Sequence, residues 1–433
     1  MIWLWICAAW LLSFAVLKNK KIEWEHLIWL LLPVDMYGIP IGGITVKPYM
    51  LLCLLIVVRF FLQRKKGFSI KSRWSIGTGA LVILMFLVNM INNDSSSSIT
   101  SIFLLPLVWI CSMIYVSTLT PESESQIPDV ILAAGIGFGA VLCLACVLND
   151  MNVRIDGIVT RIRQNPGMIM AFYNMNDGML VRIERLRGFS IDPNTMGCTF
   201  FFAAIVAVLR IMKRKAGWRE YLALILGGYC VVRSNSRMGM ICFALVVIVC
   251  VAVGYRTADI RTRNRTKMGI LAAIAILILM FVMGFLTPLL ESFLAQFDNR
   301  SGLNDEYGRF SIWEEAISVL LKENPLFGIG FGQMQYYTQM NRACHNTWLE
   351  VLAAGGLLIG GAFLVQFMAL AYAGLRHPFE NKEAGEKEVV WTMVLGLLVV
   401  MISLFGVDHL MYSYLWFTAA VVAAFTHGSR RGL

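Results

Sequence analysis

Arginine and histidine side chains occur in polar stretches of a chain that is otherwise apolar. Residues 149–193 hold no lysine but six arginines, at positions 154, 161, 163, 182, 185 and 187. The planar guanidinium binds a phosphate or carboxylate through two parallel hydrogen bonds, which a lysine ammonium cannot do. The pattern therefore indicates phosphate binding by at least one of these arginines. Because the stretch also contains five acidic residues, salt bridges within it are the alternative.

Three further arginines accompany this stretch. "VVRSNSRMGM" (231–240) predicts a tight hairpin that places Arg233 and Arg237 at two helix ends, although arginine there can also simply reach the membrane interface. Arg309 begins an amphipathic pattern, where the helix dipole disfavours a cation. We therefore expect Arg309 to face a ligand, with pairing to Asp305 or Glu306 as the alternative.

The stretch "NRACHNTWLEVLAAGG" (341–356) places a histidine directly before an apolar helix. Asn346 or Thr347 could cap that helix. Neighbouring positive charge holds down the proton affinity of an imidazole, so His345 beside the arginines is a candidate general base. An interfacial histidine that only packs is the other interpretation, and for His409 it is the favoured one.

The segment "GRFSIWEEAISVLLKENPLFGIGFG" (308–332) predicts a surface helix followed by a turn. Apolar residues recur at helical spacing, and Asn324-Pro325 should end the helix. "GIGFG" (328–332) resembles a phosphate loop but follows no strand, so we expect only a turn close to a ligand. The predicted apolar face is Ile312, Trp313, Ala316, Ile317 and Leu320.

The elements that must position these residues are membrane helices. The 433 residues are 58% hydrophobic and 15% charged, with a mean hydropathy of +0.69, which predicts an all-α polytopic membrane protein. We expect the chain to form a single integral membrane domain over residues 1–433, with about 12–13 transmembrane helices. The external loops at about 149–193 and 291–345 should form the active-site face. The candidate spans lie near 1–17, 27–46, 48–63, 74–92, 99–119, 127–148, 194–212, 218–233, 236–254, 268–290, 346–374, 389–407 and 411–427. The second is the weakest, being broken by Pro33, Asp35 and Pro40, and an interrupted or re-entrant segment is the alternative there.

The basic loops predict the orientation. With thirteen spans, the lysine- and arginine-rich segments fall on one side, which the positive-inside rule assigns to the cytoplasm. The N-terminus is then outside, the C-terminus is cytoplasmic and the two long loops face outward. This bias also accounts for the net charge of +10 without a nucleic-acid partner. The basic segments are 17–21, 63–73, 210–215, 256–267 and 429–431.

An outward-facing membrane enzyme has no cytosolic ATP or sugar nucleotide to use. A glycan on a lipid diphosphate supplies both the sugar and a good leaving group at headgroup depth, where these arginines lie. Guanidinium contacts would neutralise the departing diphosphate while a base takes the proton of the attacking hydroxyl. Because no metal-binding motif accompanies them, we expect a metal-independent transfer without a cofactor.

The motifs "RLRGFSIDPNTMG" (185–197), "SNSRMGM" (234–240), 308–332 and "HNTWLEVLAAGGLLIG" (345–360) together resemble the O-antigen ligase and polysaccharide polymerase family. The resemblance implies a fold related to the C-type membrane glycosyltransferases, with amphipathic helices in a large external loop between the late spans. It also implies glycan transfer from undecaprenyl diphosphate at the outer face of the bacterial cytoplasmic membrane. The partners that the resemblance implies for this protein are the lipid-linked glycan, the bilayer and a chain-length regulator or flippase of the same pathway.

Residue roles follow from the same resemblance. His345 is similar to the general base, and Arg309 and Arg187 to diphosphate-binding arginines. Further candidate substrate-binding residues are Arg237, Arg185, Arg233, Asp192, Asn194 and Asn346.

Other functions remain open at this stage. A polymerase, which extends another lipid-linked unit, is favoured over a ligase, which transfers to lipid A core or another acceptor. A flippase for lipid-linked sugars would need charges within its spans, but most spans have none. An intramembrane protease would rest on Asp408 and His409 alone.

Overall fold

The computed structural model describes residues 1–18, 20–41, 44–62, 72–92, 96–153, 155–160, 167–176, 179–257, 260–265, 267–268, 309–338, 343–376 and 384–427, with isolated residues between 271 and 284. The helices are α1 (Ile2–Leu17), α2 (Ile28–Leu31), α3 (Pro48–Leu62), α4 (Arg73–Asn92), α5 (Ser96–Thr118), α6 (Pro121–Glu124), α7 (Ile127–Asp150), α8 (Pro193–Met212), α9 (Trp218–Arg233), α10 (Arg237–Thr257), α11 (Arg309–Lys322), α12 (Met334–Tyr337), α13 (Thr347–Gly355), α14 (Gly361–Arg376), α15 (Ala384–Ser403) and α16 (Ser413–His427). The strands are β1 (Ile39–Ile41), β2 (Ile44–Val46), β3 (Val159–Thr160), β4 (Ile169–Asn176) and β5 (Met179–Leu186).

Long apolar helices confirm the prediction of an all-α polytopic membrane protein. In the described part of the chain, six helices are long and apolar enough to cross a membrane, and four shorter helices are also apolar. Several of them keep large apolar side chains on the outside, such as Leu54, Ile83 and Ile248. Lipid tails accept such side chains without the cost that water would impose.

The span predicted at 27–46 is wrong. The chain forms only the short α2 there, followed by the β1–β2 hairpin, in which Ile39 pairs with Val46. Pro33 and Pro40 lack the N–H that a helix needs and disfavour helical geometry in the residue before them, so the helix stops early. The span predicted at 268–290 lies largely outside the described residues.

Helix α8 is the centre of the protein. Nearly every residue of α8 is buried, and it packs against α7, α9, α10 and α15. Small residues allow the helices around it to approach closely. A Cβ on Gly137 of α7 would overlap Ser13 Oγ in α1, and a Cβ on Gly135 would overlap Ala203 in α8. "GIGFG" at 135–139 is therefore a helix-packing element.

The region between α7 and α8 is more regular than the external loop that the sequence predicts. Strands β4 and β5 form an antiparallel hairpin, with Ile169 opposite Leu186 and Asn176 opposite Met179. Their connection reads Asp-Gly, which is typical of a two-residue hairpin turn. The hairpin carries the chain to Arg187 at the start of the turn before α8.

The helix predicted over 346–374 is interrupted. Helix α13 ends at Gly355, a π-helical turn occupies Gly356–Gly360, and α14 follows. The backbone φ of Gly356 is +64°, and a Cβ at this position would overlap the Leu326 carbonyl. Only glycine fits this conformation and this close approach.

The second "GIGFG" loop is bound to this interruption. Gly328 adopts a φ of +75°, and a Cβ there would overlap the Ala354 carbonyl. The loop thus satisfies carbonyls that the end of a helix leaves without partners, which explains its glycines better than ligand contact does. Four backbone hydrogen bonds join the two segments: Ile329 N–H to Ala353 O, Gly330 N–H to Ala354 O, Leu357 N–H to Pro325 O and Leu358 N–H to Leu326 O.

Helix α11 confirms the predicted amphipathic element. It begins at Arg309 and ends at Lys322, just before Asn324-Pro325. It packs against α13. Ile317, which the periodicity assigns to the apolar face, is 45% exposed. The buried residues are Ile312, Ala316, Val319 and Leu320.

Candidate functional site

His345 stands at the start of α13. Asn346 is the N-cap of this helix, and its Oδ1 accepts hydrogen bonds from the N–H groups of Trp348 and Leu349. The backbone φ of His345 is +52°, a left-handed conformation that costs a non-glycine residue energy. Its side chain is 53% exposed. The imidazole is therefore presented outward from a strained, well-anchored backbone.

Asp408, in the turn between α15 and α16, holds this junction. Its Oδ2 accepts the His345 N–H at 2.5 Å and its Oδ1 accepts the Asn346 N–H at 2.6 Å. The same Oδ2 lies 3.9 Å from His345 Nδ1. A carboxylate in this position favours the protonated imidazole that forms when the histidine acts as a base.

Burial and the groups around Asp408 act on its pKa in opposite directions. Burial raises the pKa of the Asp408 carboxyl above its ordinary value, whereas the two backbone N–H groups and the nearby charges of His345 and Arg309 act in the opposite direction. Asp408 is thereby linked electrostatically to both the histidine and the arginine. The sequence indicates this aspartate only as a partner of His409. Its contact with His345 joins residues 63 positions apart.

We expect Asp408→Asn to lower turnover about 10- to 100-fold, because an amide leaves one backbone N–H without an acceptor and removes the charge beside the imidazole. The measurement is initial rate of glycan transfer by purified enzyme, normalised to folded protein. Glu388→Gln, a substitution of a carboxylate in contact with Arg210 at the other end of α8, is the matched control. A turnover equal to that of the unsubstituted enzyme would exclude the orienting role.

Arg309 is the first residue of α11, as predicted, and its guanidinium points toward the Asp408 turn. Its Nη1 is 3.7 Å from where a Cβ of Gly406 would stand. Burial lowers the pKa of Arg309, and the charges of Asp192, Arg237 and Asp408 also act on it. Among the described residues, no hydrogen bond of its side chain is found. Asp305 and Glu306, the alternative partners offered by the sequence, lie outside the described residues.

Asp192 and Asn194 join three elements. Asp192 caps α8 by accepting the Asn194 N–H at 2.7 Å. Asn194 Oδ1 accepts the Ser236 hydroxyl at 2.6 Å and an Arg185 N–H at 3.4 Å. Arg185 also donates to Ser234 O. The starts of α8 and α10 and the end of β5 are therefore held together, with a contact of Ser236 that the motif "SNSRMGM" did not specify.

Arg185 and Arg309 interact electrostatically with each other and with Asp192. Burial lowers the pKa of Arg185, the carboxylate of Asp192 opposes this effect, and the positive charge of Arg309 adds to it. Two cations that share one carboxylate leave a net positive charge. Such a cluster attracts a divalent anion.

Arg187 lies close enough to Tyr37 and Asp192 for both to act on its pKa. Its Nε donates to Gly167 O at 2.8 Å. Its Nη2 is buried without a hydrogen-bond partner among the described residues. Burial lowers the pKa of Arg187, against the effects of Tyr37 and Asp192. Buried donors of this kind are rare, and an acceptor oxygen of a ligand would satisfy this one.

Arg237 and Arg233 have different surroundings. Arg237 begins α10 close enough for its charge to act on Arg309. Arg233 instead forms an ion pair with Asp150, at 2.6 Å, at the end of α7. The structure thus brings Arg185 and Arg309 together beside Asp192, with Arg237 close to Arg309, and does not place Arg233 with them. Arg154, Arg161, Arg163, Asp305, Glu306 and the side chain of Arg182 lie outside the described residues.

All these contributions come from one end of the helix bundle. Helices α8, α10 and α13 begin at the cluster, and α15 runs toward it. The opposite ends of these helices are basic. The residues there include Arg210, Lys213, Arg214, Lys215, Arg256, Arg261, Arg263, Arg265, Arg376 and Lys387.

The arrangement combines a histidine held beside a carboxylate with two arginines that share one aspartate and a third arginine close to one of them. Residues 222–365 match the family model described as O-antigen ligase. This segment contains Arg237, Arg309, His345 and Asn346. No curated protein matches the chain.

Proposed function

Since residues 222–365 match the family model described as O-antigen ligase, we propose that the chain polymerises a polysaccharide by transferring a glycan from undecaprenyl diphosphate to a second lipid-linked repeat unit. Glycan transfer in the O-antigen pathway is the activity that the family supports. The donor, the acceptor and the roles of His345 and the arginines are our proposal. The observation that carries it is the convergence of Arg185, Arg237 and Arg309 beside the His345–Asp408 pair.

The reaction is a displacement at the anomeric carbon of the donor sugar. The acceptor hydroxyl oxygen attacks this carbon while the bond to the diphosphate oxygen breaks. His345 takes the hydroxyl proton, and Asp408 stabilises the resulting imidazolium. The guanidinium groups neutralise the charge that develops on the leaving diphosphate, so the positive charge that the step requires comes from the protein. Arg187 contributes its unsatisfied N–H to an adjacent oxygen of the donor.

The site is proposed to face outward from the bacterial cytoplasmic membrane. The end of the bundle opposite the site carries the basic residues that the positive-inside rule assigns to the cytoplasm. In this orientation the diphosphate of the donor lies at the headgroup layer and its lipid tail remains in the bilayer. The N-terminus is then external and the C-terminus cytoplasmic.

The glycan that accumulates on polyprenyl diphosphate in cells without this protein tests the proposal. Single repeat units on the outer leaflet would support polymerisation. Long lipid-linked chains that never reach a final acceptor would instead support the ligase, the alternative that the description of the matching family favours. Units confined to the inner leaflet would overturn both and indicate a flippase.

A further inference from the structure

A buried carboxylate from the N-terminal part of the chain reaches the turn that carries Asp408. Asp35 lies between α2 and β1, and its side chain is fully buried. Its Oδ1 accepts a hydrogen bond from Lys47 Nζ at 2.6 Å. Its Oδ2 is 3.1 Å from His409 Nε2. Neither Asp35, Lys47 nor His409 belongs to the segment that matches the family.

The protonation of this cluster follows from its contacts. Burial alone would raise the pKa of Asp35, but Lys47 and His409 hold it below its ordinary value. Asp35 is therefore ionised and only accepts hydrogen bonds, so the proton of the His409 ring must be on Nε2. Lys47 neutralises the Asp35 carboxylate, and the hydrogen bond from His409 to Asp35 then fixes the orientation of the His409 ring.

Stability alone does not account for this cluster. Burying an ion pair gives little or no net stabilisation, because the loss of hydration offsets the attraction between the charges. A hydrophobic pair of similar volume would stabilise the same contact at least as well. What the ion pair adds is a fixed direction and distance for the imidazole of His409.

The turn that His409 belongs to is bonded residue by residue to the start of α13. Thr347 Oγ1 donates to Val407 O at 2.5 Å and accepts the His409 N–H at 2.9 Å. Between these two contacts, Asp408 accepts the N–H groups of His345 and Asn346. A shift of the His409 side chain would therefore move Asp408 relative to the imidazole of His345.

We propose that Asp35, neutralised by Lys47, is a positioning residue that acts through His409 to fix Asp408 beneath His345. This inference rests on the proposed role of His345 as the base. The N-terminal hairpin region would then have a function in turnover. The sequence alone shows this region only as a hydrophobic stretch broken by prolines. Asp35 itself does not contact the substrate in this proposal; His345 and the arginines do.

The first test is the double variant Asp35→Leu/Lys47→Met, which removes both charges together with the acceptor of the His409 N–H and leaves no unpaired buried ion. We expect kcat to fall about tenfold and KM for the lipid-linked donor to stay within about twofold, because the loss concerns orientation in the transition state and not donor binding. The rates are measured on purified full-length protein in detergent with a lipid-linked oligosaccharide.

A second buried ion network supplies the matched control. Arg210 contacts Asp129, Glu220 and Glu388 at 2.9, 3.3 and 2.7 Å, at the opposite end of α8. The variant Arg210→Met/Glu388→Gln should lower thermal stability without changing kcat per folded molecule. Equal losses of kcat in both double variants would mean that any buried ion network affects turnover through stability, and would overturn the inference.

Substitution of His409 keeps the proposal testable if the first double variant does not fold. Gln places an N–H near the position of Nε2, whereas Leu has none. We expect His409→Gln to retain kcat within about threefold and His409→Leu to lose about tenfold, because only the former donates to Asp35. Identical kcat values for the two variants would overturn the inference.

The variant His345→Ala separates this inference from the proposed function. If His345→Ala is inactive while the Asp35 and His409 variants keep full kcat, the positioning role is wrong and the base assignment stands. If His345→Ala is fully active, the base assignment fails and the positioning role fails with it.

Discussion

Replacement of His345 by alanine is expected to reduce glycan transfer by at least about 10²- to 10⁴-fold, the contribution of a general base. The imidazole is exposed at the start of α13, next to Asp408 and close to the arginine cluster. In the proposed reaction it takes the proton of the attacking hydroxyl. The measurement is single-turnover transfer by purified protein, with donor binding determined separately. Binding should persist, because His345 is not among the diphosphate contacts.

The backbone conformation of His345 allows a sharper control. Because its φ is +52°, glycine should relieve strain that both histidine and alanine carry, so His345→Gly should be as stable as the original protein or more stable. Loss of transfer in this variant as well would attribute the effect to the imidazole and not to the backbone. Lys322→Ala, at the exposed end of α11, should retain normal transfer. Normal rates in both His345 variants would exclude a base at this position.

Arg309→Lys is expected to behave almost like Arg309→Ala, with both reduced about 10²- to 10³-fold in transfer. Lysine retains the charge but not the planar pair of donors that binds one diphosphate bidentately. Arg309 makes no side-chain hydrogen bond to the described residues, so the substitution leaves no protein acceptor unsatisfied there. The rate and the affinity for an undecaprenyl diphosphate glycan are measured for both variants.

Arg219→Lys is the control for this substitution. Arg219 lies at the start of α9, where it packs over the Trp218 ring at 5.8 Å, at the opposite end of this helix from Arg233. A change of arginine to lysine there should leave transfer unchanged. If Arg309→Lys also kept normal transfer, Arg309 would act as a point charge, and bidentate binding would be excluded.

Local patterns predicted the parts of the fold that depend on local interactions. Apolar runs of about 20 residues identified α4, α7, α8 and α10, because burial in a bilayer requires such runs. Helical periodicity identified α11 and its starting residue. The failures were at residues 27–46, where two prolines outweighed apolar composition, and at 169–186, where a strand hairpin stands in place of the predicted irregular loop.

The candidate site divides in the same way. His345 and Arg309 could be proposed from their places at predicted helix starts. The pairing of Arg233 with Asp150 and the contact of Asp408 with His345 could not, since each joins residues more than 60 positions apart. Such contacts depend on how helices pack, which a single sequence does not specify. The position of Arg187 beside Tyr37 has the same origin.

The loop bound to the interrupted helix has a mechanical consequence. The segment that carries Arg309 is tied to the segment that begins with His345 by four peptide hydrogen bonds and by the packing of Ala316 and Val319 near Ala353. Separating them would leave several peptide groups unsatisfied, at about 1–3 kcal/mol each. The segments 325–330 and 353–358 are therefore held together, so we expect the arginine-bearing and histidine-bearing parts of the site to move as one unit when a substrate enters.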